Sequence, residues 1–578
     1  MLRPRSLLIF LALAAPWIGA RAQDDSAVPL PPFIVEEATK GPPWRYAEMP
    51  GFEVLSRCSD RTTRDLTATH YRLHEILHLL VPASLQVSFS QPRVIIFYDE
   101  ALQSAASQEV IADMLRKAEK ETIDPNPVVS MPIGPRGMAV NLVPSRRVNF
   151  LPNLRLWDAD AMAVFSIVRD GSYDSDRLVL TPDYLKYLLL NRTPSLPAWY
   201  AAGVIALYER SDYETGALVL RPLLWISEAK TDAVKDDPKK AIAPLPLAQF
   251  FSGGVPARGT PEADALRELW VAQGALLVRW ALDGKTAAER AAFFEFVARS
   301  AEEPVREKSF QEFFGVDFAT ADQQLAAFLP TAVRKSLTLK PAHAIKPPAI
   351  GLRNATDTEI SRLKGDWERL EVGFVKKRSA QLAAKYLEQA RRTLGRAYDH
   401  GAREPQLLAN LGLCECDAGD DVRAREYLEA AAQLGPIRPR ANYELARLRF
   451  AAANAAPKGA GGKLSAEQLT GVFTPLFAAR AQSPAMPEVY ELVAQGWSRS
   501  AVVPTRGHLA VLDEGIRLFP RRSELIYRTA ALLAEQNFSA DAAAIAEFGL
   551  RVAKDEADRA RFIELQGKLT ANARATSP

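Results

Sequence analysis

Apolar positions recur along this chain with two different periods, and the change between them divides it. In the first half, short apolar runs suit strands: residues 54–57 form one, and residues 91–98 (QPRVIIFY) form a second that is buried. Between them, residues 60–80 place Leu66, Leu73, Ile76, Leu77 and Leu80 on one face of an amphipathic helix. A helix near 108–118, loops rich in Pro and Gly to Pro144, and strand-like runs at 155–168 and 178–180 continue the mixture, which predicts an α+β layout. Residues 183–190 and 199–208 read as two further helices. The turn between them, with Pro194 and Pro197, reverses the chain, so they are expected to pack antiparallel beside a small mixed sheet with Trp199 buried.

Residues 340–352 (KPAHAIKPPAIGL) disfavour helix and mark the domain boundary. Beyond them only the helical period remains, and it repeats. Leu408, Leu411, Gly412, Ala424, Leu428, Ala431 and Pro436 have the spacing of a tetratricopeptide repeat (TPR), a helix–turn–helix unit of about 34 residues. Gly412 and Ala424 are small where two helices would touch, Leu411 and Leu428 would fill the groove, and Pro436 would end the second helix. Trp367, Leu370, Ala383, Leu387 and Ala390 repeat the pattern upstream. Leu445, Ala446, Leu476, Ala479 and Pro484 repeat it downstream around an inserted loop at 455–463, and two more units follow through Tyr490, Ala494, Leu512, Gly515 and Pro520, then Ala530, Ala542, Ala546 and Gly549. The resulting solenoid implies a protein or peptide partner in its groove, with packing of that groove against the N-terminal domain as the competing reading.

Arg3 and Arg5, an apolar run at 7–15 and Ala20-Arg21-Ala22 have the order of a secretory signal peptide, which places the protein in the periplasm or the medium. No later stretch reaches the roughly 18 apolar residues of a membrane span. The expected organisation is therefore a signal peptide at 1–22, an extended Pro-rich lead-in at 23–51 with Trp44 and Tyr46 as aromatic anchors, an α+β domain at 52–335, a linker at 336–360 and helical repeats at 361–578. The 72 basic and 69 acidic residues leave a net charge of +3 with no basic block, which argues against a nucleic-acid partner. Three cysteines leave an odd one, and Cys414 and Cys416 point to different sides of a helix. Cys58 can reach either only if the domains pack closely, so stability is expected from cores and not disulfides.

Candidate chemistry is sparse. His74-Glu75-Ile76-Leu77-His78 spells the HExxH motif, in which two imidazoles four residues apart hold Zn²⁺ and the glutamate serves as general base. Pro82 and the strand that follows leave no nearby helix to give a third ligand, and no sheet is expected ahead of the motif. The alternative is an ordinary first helix with His70, His74 and His78 as a partly exposed stripe. Asp158, Asp160, Asp174 and Asp176 lack a following Gly and Glu pattern and read as loop solvation. Residues 134–137 form a turn and no phosphate cradle, and no G-x-S-x-G elbow occurs.

Pro197, Trp199, Gly203, Ile205, Leu207 and Tyr208 resemble the helix P-x-W-x-x-E-G-x-A-x-Y that follows HExxH in gluzincin peptidases of the peptidase-MA-like kind. Pro244-Leu245-Pro246-Leu247 before Phe250, the helix at 269–282, the run 310–317 and a last helix to Leu329 resemble further landmarks of that family, across roughly 52–332. In that register the HExxH positions fall on Asp183, Tyr184, Leu185, Lys186 and Tyr187, and the third ligand on Ala202. The resemblance therefore implies a peptidase-like domain without zinc ligands. The expected protein is an exported, non-catalytic scaffold with no cofactor, no metal and no catalytic residue; the alternative is a secreted zinc metallopeptidase using His74, Glu75 and His78.

Overall fold

The computed structural model describes residues 41–102, 129–130, 139–140, 153–170, 180, 182–214, 216–226, 228–240, 242–252, 254–376, 380–553 and 555–576. The signal-like segment, the helix expected near 108–118, the turn at 134–137, and Asp174 and Asp176 lie outside these residues.

Strands β1 (Arg45–Met49) and β2 (Phe52–Ser56) form an antiparallel hairpin, and helix α1 (Asp60–Leu77) carries the chain from β2 to β3 (Arg93–Asp99), which runs parallel to β2. Ser59 caps α1, accepting from the Thr62 backbone N–H at 3.4 Å. The pair β4 (Val129–Ser130) and β5 (Ala139–Val140) stands apart. Strand β6 (Asn153–Trp157) then turns antiparallel into β7 (Met162–Val168), which lies parallel to β3. Helices α2 (Pro182–Leu190) and α3 (Ala198–Glu209) follow. A small sheet of β8 (Ser211–Glu214), β9 (Ala217–Leu220) and, much later, β10 (Leu337–Leu339) flanks α4 (Glu228–Asp236), α5 (Leu247–Ser252), α6 (Pro261–Leu282), α7 (Ala287–Arg299), α8 (Glu307–Phe314) and α9 (Phe318–Ala332).

The proline-rich stretch at 340–352 carries neither strand nor helix, but paired strands flank it. Within 336–360, β10 pairs with β9, and β11 (Arg353–Asn354) adds itself to β1 at the edge of the large sheet, whose order is β11-β1-β2-β3-β7-β6. The first helix of the solenoid, α10 (Asp357–Lys376), then packs on that sheet. Strand alternation explains how both faces are filled: Ile95 and Phe97 join the core with Leu66, Leu73 and Ile76 of α1, while Val94, Ile96 and Tyr98 join Trp44, Tyr46, Phe165, Leu363, Trp367 and Leu370 on the opposite face. Trp367 meets Phe165 at 5.2 Å between ring centroids. Trp44 and Tyr46 are thus anchors in a strand and its approach, under a helix contributed by the C-terminal half.

The solenoid continues through α11 (Ala380–Asp399), α12 (Pro405–Ala418), α13 (Asp421–Leu434), α14 (Pro439–Ala455), α15 (Ala466–Arg480), α16 (Pro487–Ser498), α17 (Arg506–Leu518), α18 (Ser523–Glu535), α19 (Ser539–Val552) and a last helix, α20 (Glu556–Thr576). Each first helix of a pair packs on its partner and on the first helix of the next pair, so α10, α12, α14, α16, α18 and α20 form one continuous row. Small residues set the helix spacing: a Cβ on Gly412 would meet Leu428 Cγ at 2.6 Å.

Candidate functional site

The histidine stripe is buried where the sequence suggested partial exposure. His70 and His74 are 3% and 6% exposed, and only His78 remains half-open. Two elements distant in sequence cover them. Phe52 of β2 lies 5.0 Å from the His70 ring and 5.4 Å from the His74 ring, and Tyr184 of α2 closes the other side at 6.4 and 6.0 Å. A sheet does precede and follow this helix, contrary to the expectation: α1 is the crossover of a parallel β–α–β unit, because the end of the lead-in supplies β1, which pairs with β2 around the strand expected at 54–57.

Among the described residues, His74, Glu75 and His78 form the one group of three potential ligands, with ligand atoms within 4.8 Å of one another. Glu75 Oε1 lies 3.7 Å from His78 Nδ1. Arg93, at the start of β3, decides how this group is used. Its Nη1 donates to His74 Nε2 at 3.0 Å and to the Tyr184 hydroxyl at 2.5 Å. Its guanidinium lies over Phe52 at 4.0 Å, with Phe89 at 5.5 Å and Tyr184 at 5.9 Å. A guanidinium has no acceptor, so His74 Nε2 must be the accepting nitrogen and the ring's proton sits on Nδ1. Burial, then Arg93 and the neighbouring histidines, hold the His74 pKa well below its usual value; burial lowers His78 against the pull of Glu75.

Zinc does not fit these residues as they stand. One lone pair of His74 is engaged by a cation, and the helix pair that resembles a peptidase core provides no replacement. There Lys186 bridges Asp183 at 3.5 Å and Glu209 at 3.3 Å on the surface, Tyr184 and Tyr187 are buried, and Ala202 packs against the core. Packing dominates that pair. A Cβ on Gly203 would meet the Gly274 backbone at 2.4 Å, so α3 and α6 touch through their main chains. Trp199, 5% exposed, sits among Phe250, Phe251 and Phe296. Beyond that crossing the two helices enclose a cleft of about 770 Å³, floored by Leu207, Val271 and Ala272 and edged by Arg210, Arg258 and Glu268.

Asp158 and Asp160 do not solvate a loop. The β6–β7 turn inserts both into the row of first helices. Arg438 Nε donates to Asp160 at 3.1 Å, and the Arg440 backbone N–H donates to Asp160 Oδ2 at 2.7 Å. Asp158 accepts from Arg369 at 2.6 Å, Arg438 at 2.9 Å and Arg440 at 2.9 Å. Asp366 of α10 and Asp417 of α12 complete the network. Burial alone would raise the Asp158 carboxyl, yet the three guanidinium groups hold it well below the carboxylate range; for Asp160, burial and the Asp158 charge outweigh Arg438 and raise it. Further along, Ser90 N–H donates to Ser483 O at 2.8 Å.

The sequence reading did not single out Arg93, Arg369, Arg438 or Arg440. The available signals were Arg438-Pro439-Arg440 at a helix start and the Asp158-Ala159-Asp160 pair, whose complementarity only the fold reveals. All three cysteines are free: Cys58 and Cys414 are buried and Cys416 is intermediate.

No protein-family model matches this chain, and no curated protein does. Among solved structures it is similar to YrrB, described as a TPR protein with an unusual peptide-binding site, at 11% identity over 34% of this chain and 90% of that one, with a TM-score of 0.27. It is also similar to a thermophilic TPR protein of Thermus thermophilus, at 17% identity over 35% and 98% with a TM-score of 0.25, and to MamA of Desulfovibrio magneticus, at 15% identity over 37% and 98% with a TM-score of 0.23. The helical-repeat architecture stands on the helix packing of the chain itself.

Proposed function

We propose that this protein is an exported, non-catalytic scaffold in which a degenerate peptidase-like domain is fused to a TPR-type solenoid that holds a protein or peptide partner. The observation that carries this reading is the division of the solenoid row. Its first part, on α10, α12 and α14, is taken up by the chain's own sheet and by Asp158 and Asp160. Among the described residues, hydrogen bonds and ion pairs to the N-terminal part end at Ser483. The remaining row, α16, α18 and α20, carries Glu488, Glu491, Glu524 and Tyr527, with Arg522 pairing to Glu488 and Glu491 and Arg561 pairing to Glu524. A stacked row with polar, half-buried side chains is the surface such solenoids offer to an extended segment.

The test is site-specific photo-crosslinking in the full-length, exported protein. A crosslinker at Tyr527 should capture one defined partner, and the same group at Val422, which is 71% exposed on α13, should not. Equal capture from both positions would refute a groove-directed partner.

The second reading, a secreted zinc metallopeptidase, is favoured by one observation, the proximity of the His74, Glu75 and His78 ligand atoms. It is opposed by Arg93 on His74 and by the lack of ligands on α2 and α3. Chelator-sensitive cleavage of casein that disappears in a His74→Ala, His78→Ala variant would establish it.

A further inference from the structure

The geometry points to a specific role for Arg93: it is a built-in cation that keeps a metal from the His74–Glu75–His78 group, which is a latent two-imidazole, one-carboxylate site and not a ruined one. The inference rests on the non-catalytic half of the proposal above and is independent of any partner of the solenoid.

Three observations support it. The ligand set itself is intact: two imidazoles one helical turn apart and a carboxylate between them, all within 4.8 Å, with Glu75 and His78 side chains 37% and 28% exposed and so free to adjust and open to solvent. Distances of about 2.0–2.2 Å from a transition metal to such ligands would need only a modest closing of this group. Second, the charge already supplied there is positive and fixed. The Arg93 Nη1 holds the His74 nitrogen that a metal would need. Third, the guanidinium is not a loose surface group that an incoming ion could push aside. Phe52 stacks on it at 4.0 Å, and the Tyr184 hydroxyl accepts from it. Tyr184 occupies a position where the peptidase resemblance would place the motif's glutamate. The two motif-like helices therefore meet at Arg93: one supplies the imidazole and the other the phenol that hold the cation.

Arg93→Met keeps a side chain of similar length over Phe52 while removing the charge and the donor. Untagged full-length protein, the variants Arg93→Met and Arg93→Lys, and the double variant Arg93→Met with His74→Ala are each dialysed against Zn²⁺ or titrated with Co²⁺, with circular dichroism recording the fold. Arg93→Met should retain one equivalent of Zn²⁺ and give visible Co²⁺ absorption, with metal affinity raised about a hundredfold or more over the wild type. The double variant should lose both signals, and Arg93→Lys, which keeps the charge, should stay metal-free. If Arg93→Met fails to fold, Arg93→Gln is measured in its place. A folded Arg93→Met or Arg93→Gln that binds no metal overturns the inference while leaving the non-catalytic reading standing. An Arg93→Lys protein that binds as tightly as Arg93→Met overturns the role of charge. One equivalent of Zn²⁺ in the wild type, lost on His74→Ala, overturns the inference, and the non-catalytic reading falls with it only where chelator-sensitive cleavage of casein accompanies that zinc.

Discussion

The carboxylate of Asp160, 2% exposed, lies against the guanidinium of Arg438, whose Nε donates to its two oxygens at 3.1 and 3.2 Å across 278 residues of chain. This pair belongs to the joint between the two halves, and its size sets an expectation. Asp160→Ala leaves Arg438 buried with part of its hydrogen bonding lost, which should cost about 3–5 kcal/mol. Because α10 also shares a core with the sheet, the loss should appear in both halves as one lowered transition. Differential scanning calorimetry checks this, with Arg551→Ala on the exposed pair with Glu547 as a control that leaves Tm unchanged.

Two glycines should respond differently to the same added methyl group. At Gly412 the Cβ meets Leu428 Cγ at 2.6 Å and Cδ2 at 2.7 Å, side-chain atoms that shift more readily than main chain, and alanine gains about 1 kcal/mol of helix propensity. At Gly203 it meets the Gly274 backbone at 2.4 Å, which cannot move without separating α3 from α6. Gly412→Ala is therefore expected near neutral and Gly203→Ala about 1–3 kcal/mol destabilising. Gly412→Leu, too large for the Leu428 side chain to accommodate, should cost about 2–4 kcal/mol. Urea unfolding of the three variants ranks them; a Gly203→Ala protein as stable as the wild type would contradict the backbone contact.

The elements legible in the sequence were those fixed by local pattern. The stripe of Leu66, Leu73, Ile76 and Leu77 gives α1, the alternation of Val94 to Tyr98 gives a strand buried on both faces, and the small residues at Gly412 and Ala424 give a close helix pair. What stayed hidden depends on partners far along the chain. The burial of His70 and His74 requires Phe52 and Tyr184, and the engagement of Asp158 requires Arg369, Arg438 and Arg440. The ends of the expected linker hold a related surprise: residues 340–352 carry neither strand nor helix, while β10 and β11 on either side of them pair with strands remote in sequence, which local pattern does not report.

Free, buried thiols give a further check on the cores. Burial raises all three cysteines, Cys414 and Cys416 to about 12, and Cys58 lies fully inside the N-terminal core. Because the thiolate is the reactive form, Ellman's reagent at pH 8 should leave Cys58 and Cys414 unmodified in the native protein and titrate three thiols once urea is added. Two thiols missing from the denatured count would mean a disulfide.

Glu371 provides a pH signature with a definite sign. Its carboxyl is 1% exposed on α10 and accepts from Trp367 Nε1 at 2.6 Å; burial first, and then the nearby Glu368, hold its pKa well above the ordinary value near 4.5. A carboxyl raised in the folded state favours folding fully below the unfolded pKa, and that contribution is lost as pH rises through the folded value. Glu371→Gln keeps the acceptor for Trp367 without the titration, so it should match the wild type near pH 4 and exceed it increasingly above that, by about 1.4 kcal/mol for each unit by which the pKa is raised. Paired thermal melts at pH 4.0, 5.5 and 7.5 measure the difference. A variant less stable than the wild type at pH 7.5 would mean that Glu371 is ionised and held by a cation in the folded protein.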